Sequence, residues 1–418
     1  MLFVNLNLTF YNNMSKLFQI NVVANSGSTG KIAEQIGLLA NANGWNCYMA
    51  YGRWSYNSAL NLYKVGSKKD IYLHGLESIL LDRHGLGSKS ATKALIKEIQ
   101  KIKPDIIHLH NIHGYYLNLP LLCDFLAKYG KPIVMTLHDC WTVTGHCVHF
   151  QDINCDKWID GCHHCPNLKG YPRSLFVDNS KNNWKIKKES FQKILPLLTI
   201  VPVCNWLSDI VSHSYLKESA RKVIVNGIDL DVFKPIENVS EIRTKYQVNN
   251  KFVILAVSNG WNSTKGLEDI LWMRDKLSDE YVIVMVGVST KQKKNLPQGI
   301  IGICKTENVK QLAELYSMAD MFLNPTYQDT LPTVSIEALA CGTPVVSYDT
   351  GGSADIVDEN VGILIERGNR DVLLSSIKEI KSRGKLFYQK SCREKALNIF
   401  DNQKCFVGYL KLYKELLK

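Results

Sequence analysis

The sequence predicts an α/β protein of two domains, each built on a parallel β-sheet flanked by helices. Three observations predict it. The chain has 418 residues. That exceeds one ordinary core, so two domains of roughly 200 residues are expected. Short apolar runs alternate with segments of helical period, the pattern of a parallel sheet with crossover helices. The alternation then starts afresh at Phe252–Val257, after a break near Asp229–Val239 where Pro235 and polar residues interrupt it.

The elements follow in order. Leu17–Ala24 reads as the first strand, the Gly-bearing segment Asn25–Gly30 as a loop, and Lys31–Asn43 as a helix. Strands are expected at Trp45–Tyr51, at Asp105–Leu109 after a Lys-rich helix, and at Pro132–Leu137. Leu198–Val203 and Lys222–Val225 are the last apolar runs of this half. After Phe252–Val257 come helix Leu267–Leu277, strand Tyr281–Val286, helix Val309–Met318, strand Met321–Asn324, helix Pro332–Ala340 and strand Pro344–Ser347. Phe406–Leu417 reads as an amphipathic helix with Leu410, Tyr413 and Leu416–Leu417 on one stripe. The divisions expected are 14–230 with a Cys-rich insert at 140–170, then 231–398, then a terminal helix at 399–418 returning to the first domain.

Composition is globular, with 45% hydrophobic and 21% charged residues. No apolar run approaches the roughly 18 residues of a membrane helix. The N-terminal MLFVNLNLTFYNN lacks a basic leader and a small-residue cleavage site, so it reads as an upstream start rather than a signal peptide. A soluble, cytoplasmic protein is expected. The net charge of +11 comes from scattered lysines, apart from short groups at Lys185, Lys187, Lys188 and Lys291, Lys293, Lys294. This suits a solvated surface with peripheral contact to an anionic membrane face. It does not concentrate into a nucleic-acid groove: residues 140–175 hold only Lys157, Lys169 and Arg173, too few for a zinc-containing nucleic-acid binder.

Five motifs carry chemistry. Asn25-Ser-Gly-Ser-Thr-Gly30 follows a strand and opens a helix. There, backbone N–H groups meet an anion and Gly27 and Gly30 allow close approach, although a tight turn alone also calls for glycine. His110-Asn-Ile-His113 and His138-Asp139 follow two strand ends, where parallel sheets bind ligands. Histidine there suits proton transfer. Asp329 and Glu337 lie eight apart, the first in a loop and the second in a helix, so they reach two parts of one extended polar ligand. Asp329 or Thr330 also suits a helix cap. Glu337 stands in an otherwise apolar helix, and an unpartnered buried charge is costly. Lys265, in Gly260-Trp-Asn-Ser-Thr-Lys-Gly266, is placed to meet a phosphate. Finally, Cys147, Cys155, Cys162 and Cys165 supply the four thiols of a structural zinc site, with His146, His149, His163 and His164 as substitutes. An iron–sulfur cluster or two disulfides are the alternatives.

Together these segments resemble glycosyltransferase family 4, the retaining enzymes of the GT-B fold. The family's E-x7-E appears as Asp329-x7-Glu337, its N-G-[IV]-D join as Asn226–Asp229 with Phe233-Lys-Pro235, its K-G as Lys265-Gly266, and its T-G-G turn as Thr350–Gly352. His138 matches its strand-end histidine. The stretch HDCWTVTGHC…GCHHCP is similar to transferases of exopolysaccharide, O-antigen and colanic-acid assembly. The resemblance implies two Rossmann-like domains facing across a cleft and no catalytic metal. It implies a UDP- or GDP-sugar donor and a saccharide or lipid-linked acceptor at the inner membrane face. Glu337 would hold the ribose, Asp329 with the backbone of Thr330 and Leu331 the donor sugar, and Lys265 the diphosphate. His138 would lie beside the anomeric carbon. The family's Arg before K-G has no counterpart in Ser258–Thr264, leaving Lys31 and Lys305 as other cations. A nucleotide-sugar epimerase or hydrolase of the same fold, or a non-catalytic scaffold, would share these features.

Overall fold

The computed structural model of the chain describes residues 14–418, so the N-terminal stretch 1–13 lies outside it. Two sheets form, both wholly parallel. The first has strands β1 (Lys16–Asn21), β2 (Asn46–Tyr51), β3 (Asn61–Lys64), β4 (Ile106–Leu109), β5 (Ile133–Leu137), β6 (Leu198–Pro202) and β7 (Ala220–Arg221), in the order β3-β2-β1-β4-β5-β6-β7. The second has β8 (Phe252–Val257), β9 (Tyr281–Val286), β10 (Ile300–Ile303), β11 (Met321–Asn324), β12 (Val345–Tyr348) and β13 (Gly362–Ile365), in the order β10-β9-β8-β11-β12-β13. Central strands such as β4, β5, β9 and β12 are buried along their whole length, as parallel strands covered on both faces must be.

In each sheet the order reverses direction beside the first strand, between β1 and β4 and between β8 and β11. Helices leave such a switch point toward opposite faces, opening a crevice at the strand ends. The loops after β1, β4, β8 and β11 carry Asn25–Gly30, His110–His113, Lys265 and Asp329, while His138–Asp139 and the Cys-rich insert follow β5.

Several boundaries differ from the sequence reading. The first strand stops at Asn21, and Ala24 makes only an isolated bridge to Ser55. The last strand of the first sheet is Ala220–Arg221 rather than Lys222–Val225. Lys222 and Ile224 keep single backbone bonds to β6, while the Ile224 side chain is buried against the C-terminal helix. The four-residue strands β3, β10 and β13 were too short to show a period, and helix Lys68–Leu81 went unread because its apolar residues lie outward.

The last helix begins at Asn402, earlier than expected, because the Asp401 carboxylate accepts from Gln403 N–H and caps it. It packs on helix Gly27–Ala42, burying Cys405, Phe406, Tyr409, Leu410 and Tyr413 with Trp45 and Ile36 in the first domain's core. Two chain segments therefore cross between the halves. They run side by side: Ile228 N–H donates to Phe400 O at 2.9 Å, and Asn402 N–H to Ile228 O at 3.1 Å. A Cβ on Gly227 would lie 2.4 Å from Asn402 Cα, so only glycine fits there. Arg393 then ties the join to the second domain through the carbonyls of Leu230, Phe233 and Ala340.

Tyr413 packs with its ring tilted 57° to Trp45, centroids 5.5 Å apart, and hydrogen bonds His108. Tyr413→Ala is expected to cost about 3 kcal/mol of unfolding free energy, the range for truncating a buried aromatic. Denaturant unfolding followed by tryptophan fluorescence checks it, and an unchanged midpoint would place this helix outside the first core.

Candidate functional site

The second domain shapes its half of the site by packing two loops together. Asn262 caps the 3-10 turn Ser263–Lys265, and Gly266 follows with φ +70°. A Cβ there would meet Pro325 O at 2.1 Å, so glycine lets the turn after β8 lie on the loop after β11. Tyr327 N–H donates to Thr264 O at 2.8 Å across the same contact. This brings Lys265 Nζ to Asp329 Oδ2 at 2.9 Å and to Gln328 O at 3.3 Å. Both side chains of this pair remain about a third exposed or slightly less, so it contributes at most about 1 kcal/mol. The pair is therefore weak enough for either side chain to change partners at little cost.

Asp329 is not the helix cap. The helix runs Thr333–Ala340 with Pro332 at its N-cap, and Asp329 Oδ1 accepts instead from Thr330 N–H at 2.9 Å. The Thr350–Gly352 turn supports the same loop. Gly351 has φ +57°, and a Cβ on it would meet Asp329 O at 2.0 Å. Gly352 N–H donates to Thr330 O at 2.7 Å. The backbone of Thr330 is thus engaged within the protein, whereas Leu331 faces the cleft.

Glu337 lies deeper, half-buried on the helix. Its Oε2 accepts from Tyr316 O–H at 2.9 Å. Burial pushes its carboxyl up to about 7, against the opposing effects of the Tyr316 hydroxyl and the Lys31 charge. Lys31 belongs to the first domain, one residue after Gly30, so the electrostatics of Glu337 span the cleft. Lys305 is exposed beyond β10 and does not line the site.

The first domain contributes the loop after β1. Gly27 adopts φ +59° with open space where a Cβ would stand, and Gly30 packs with Val23 Cγ2 3.0 Å from its own Cβ position. The first glycine therefore serves conformation and access, the second helix–strand packing. Ser28 lines a cleft of about 340 Å³ with Asn259, Gly260, Lys265, Asp329, Leu331 and Thr333. Gly260 and its neighbours present backbone, not a cation, beside Lys265.

His138 does not line that cleft. It follows β5, half-buried, with Nε2 3.2 Å from His110 Nδ1. Burial pushes its imidazole down to about 4, partly offset by Asp139. Burial would raise the Asp139 carboxyl, but His113, bonded at 2.7 Å, and His149 hold it down at about 2. His149 joins the two sides: its titration is lowered by burial and opposed by both Asp139 and Asp329. The sequence reading had counted His149 only as a substitute thiol partner. Its charge neighbours lie on different domains, which no local pattern could have revealed.

The Cys-rich insert is more than an acceptor-side appendage. Gln151 Nε2 donates to Asp329 O at 2.7 Å, and Arg367 donates to Gln151 O and Asn154 Oδ1, so the insert touches the second domain. A larger cavity, about 860 Å³, opens between insert and second domain, walled by Phe150, Trp158, Trp206, Asp349 and Arg367. It shares no wall with the 340 Å³ cleft and holds neither Lys265 nor Asp329, so the smaller cleft is the candidate site.

The structure lends no support to the expected zinc cage. Cys147, Cys155, Cys162 and Cys165 line one small void, but no group of three or more His, Cys, Asp or Glu among the described residues is arranged to hold a metal. Cys162 Sγ is engaged by Gly145 N–H at 3.1 Å. His146 Nδ1 bonds Asp82 at 2.6 Å and His163 Nδ1 bonds Gly161 O at 2.9 Å, while His146 Nε2 and His149 Nδ1 are buried without a protein partner among the described residues. All the cysteines are free thiols, so the disulfide alternative does not form either. Buried Lys187 supports the insert instead, donating to Trp141 O and Thr144 O and lying 3.5 Å over the Trp141 ring.

Comparison with known proteins places this architecture. Residues 54–232 match the family model Glycosyltransferase Family 4, and residues 238–398 match Glycosyl transferases group 1. A glycosyl transferase of Escherichia coli K12 named for colanic acid biosynthesis, WcaC, is 24% identical over 62% of this chain and 63% of its own length. The sulfoquinovosyl transferase SQD2 of Arabidopsis thaliana is 24% identical over 70% of this chain and 53% of its own. The chain thus spans less than two thirds of the length of these curated relatives. Among solved structures, the sucrose-phosphate synthase of Thermosynechococcus elongatus superposes with TM-score 0.69 at 15% identity, covering 96% of this chain and 99% of that one. Anabaena HepE in complex with UDP gives TM-score 0.65 at 15% identity, covering 96% and 100%. With two facing Rossmann-like domains, the chain has the GT-B fold and belongs to the family 4-like, group 1 glycosyltransferases.

Proposed function

We propose that this protein transfers a glycosyl group, with retention at the anomeric carbon, from a UDP- or GDP-sugar to a saccharide or lipid-linked saccharide in cell-surface polysaccharide assembly. One observation carries the reading: Ser28, Lys265, Asp329 and Leu331 meet around one cleft at the facing switch points, with Glu337 beneath. The name of the colanic acid relative supports the polysaccharide assignment, and the UDP-glucose complex of HepE supports the donor class.

In this reading the acceptor oxygen bonds to the anomeric carbon on the face from which the leaving phosphate departs. The carbon–phosphate-oxygen bond breaks, and the acceptor's hydroxyl proton passes to the departing diphosphate. Lys265 leaves Asp329 to meet the charge growing on that diphosphate, which is where a fixed cation lowers the barrier most. Asp329, released, takes sugar hydroxyls as hydrogen-bond donors, and Glu337 takes the ribose hydroxyls.

The reading extends to a lipid-borne acceptor at the inner membrane face. Helix Lys68–Leu81 buries His74 and Ser78 while exposing Tyr72, Leu73 and Leu76, and Leu175–Val177 lies alongside through Leu175 N–H to Ile79 O. Lys68, Lys69 and Arg173 are exposed along this stretch and Glu77 is paired with Arg83, while Asp70 stays ionised, capped by Ser67. Apolar side chains beside exposed cations suit an anionic bilayer surface. No helix among the described residues is long and apolar enough to cross a membrane.

Three outcomes test this. Lys265→Ala should lower kcat by about 100-fold and change donor KM less, because the leaving-group charge peaks in the transition state; steady-state kinetics over a panel of UDP- and GDP-sugars decides it. Free sugar released without acceptor would point to a hydrolase or epimerase, and nucleotide binding without turnover to a scaffold.

The second outcome concerns Glu337. Its carboxyl is held above the ordinary 4.5, so its contribution to stability is present below that value and lost as pH rises through about 7. Ribose hydroxyls favour the ionised form. Donor affinity should therefore rise by up to about tenfold from pH 6 to 8 with proton release, and Glu337→Gln should flatten the profile. Calorimetry in two buffers measures both, and a flat wild-type profile would remove Glu337 from the donor site.

Third, the protein should co-sediment with vesicles containing phosphatidylglycerol and less with pure phosphatidylcholine. Leu73→Glu with Phe176→Glu should abolish the difference; equal binding by the double variant would place membrane contact elsewhere.

A further inference from the structure

We propose that Gln19 and His110 are positioning residues that lock the proton of His138 on Nε2, leaving its Nδ1 lone pair as the nitrogen presented to a ligand. This rests on the role that the family resemblance implies for His138, beside the anomeric carbon, since its side chain is not among the walls of the 340 Å³ cleft.

The argument starts from an amide whose orientation is forced. Gln19, on β1, donates from Nε2 to Ala33 O at 2.9 Å. A carbonyl only accepts, so the amide nitrogen must face Ala33 and Oε1 must face the other way. Oε1 lies 3.0 Å from His110 Nε2. That oxygen only accepts, so His110 carries its proton on Nε2.

His110 is fully enclosed, its ring centroid 4.0 Å from that of the tilted His108 ring, with no carboxylate among its hydrogen-bond partners. A buried imidazole without a counter-charge stays neutral, and with Nε2 protonated its Nδ1 is bare. The group 3.2 Å from that bare nitrogen is His138 Nε2. Two lone pairs cannot face each other at this distance, so His138 Nε2 bears the hydrogen. His138 Nδ1 then accepts.

This nitrogen has no protein partner among the described residues and is not a sealed polar atom. His138 Nδ1 is therefore a hydrogen-bond acceptor for a ligand hydroxyl rather than a donor to a phosphate oxygen. One tautomer is thus transmitted from a helix carbonyl through Gln19 and His110 to the strand end. The neighbouring His108 cannot set it, because both its partners, Tyr413 and Thr136, are hydroxyls that rotate to suit either tautomer.

The test uses the full-length protein labelled with 15N-histidine, observed through long-range nitrogen–proton correlations, with His138 and His110 assigned by substitution. Both rings are expected to show protonated Nε2 and bare Nδ1. The opposite pattern at His138 would overturn the proposal. Gln19→Met removes the acceptor without changing length much, and should mix or reverse the pattern at both rings; retention of the wild-type pattern would overturn the relay. In transfer assays His110→Phe should lower kcat about tenfold with donor KM nearly unchanged, the loss of roughly one hydrogen bond. His110→Asn keeps an oxygen near the Nδ1 position and should recover most of that loss. Equal activity of the Phe and Asn variants would reduce His110 to packing. Wild-type kcat in His138→Ala would sink the site reading itself, while the nitrogen spectra still decide the tautomer.

Discussion

The site depends on one constraint: a parallel sheet cannot fill the space above the strand ends where its winding reverses. Crossover helices leave the switch point toward opposite faces, so loops, not helices, occupy the carboxyl edge there. This chain has two such points, beside β1 and β8, and joins its sheets so that the edges confront each other. The confrontation is held by two strands of chain rather than one. The outgoing join at Asn226–Asp229 and the return at Phe400–Asn402 are bonded together, with Gly227 allowing the close approach.

Within the site, the magnitudes favour exchange of partners over permanent pairing. Lys265 and Asp329 form a semi-exposed ion pair worth little, so each is available to a ligand. Glu337 is held near the point of ionisation by burial, with the Lys31 charge across the cleft opposing it. Around the first sheet the logic differs. His108, Thr136, Tyr409 and Tyr413 form one fully buried polar network, and Gln19 with His110 a second beside it that continues to His138. Networks of this kind are costly when any member is unsatisfied, and they specify one arrangement when complete. The C-terminal helix, returning from the second domain, therefore completes the polar core beneath the His138 strand end.

Much of this was legible in the chain itself. Apart from the first strand, which ends three residues early, apolar runs located the buried strands within a residue or two, because a strand covered on both faces must be apolar throughout. Glycine positions marked the loops, and the spacing of Asp329 and Glu337 placed one on a loop and one on a helix. The failures share a cause. Asp329 was also a suitable helix cap, and only the approach of the Lys265 turn decides against it. His149 meets Asp139 and Asp329 from separate domains. The four cysteines converge as their spacing suggests, yet convergence of positions is not a ligand geometry.

The sequence by itself determined the two-domain α/β class, the order of the principal strands and the loops that carry polar chemistry, since these follow from local periodicity and from glycine's access to positive φ. Tertiary structure decided which of those loops share a cleft, which carboxylate a lysine faces, and which nitrogen of a histidine holds its proton. Those depend on distances between residues far apart in the chain, such as Gln19 and His110 or Lys265 and Asp329, and no local pattern encodes them.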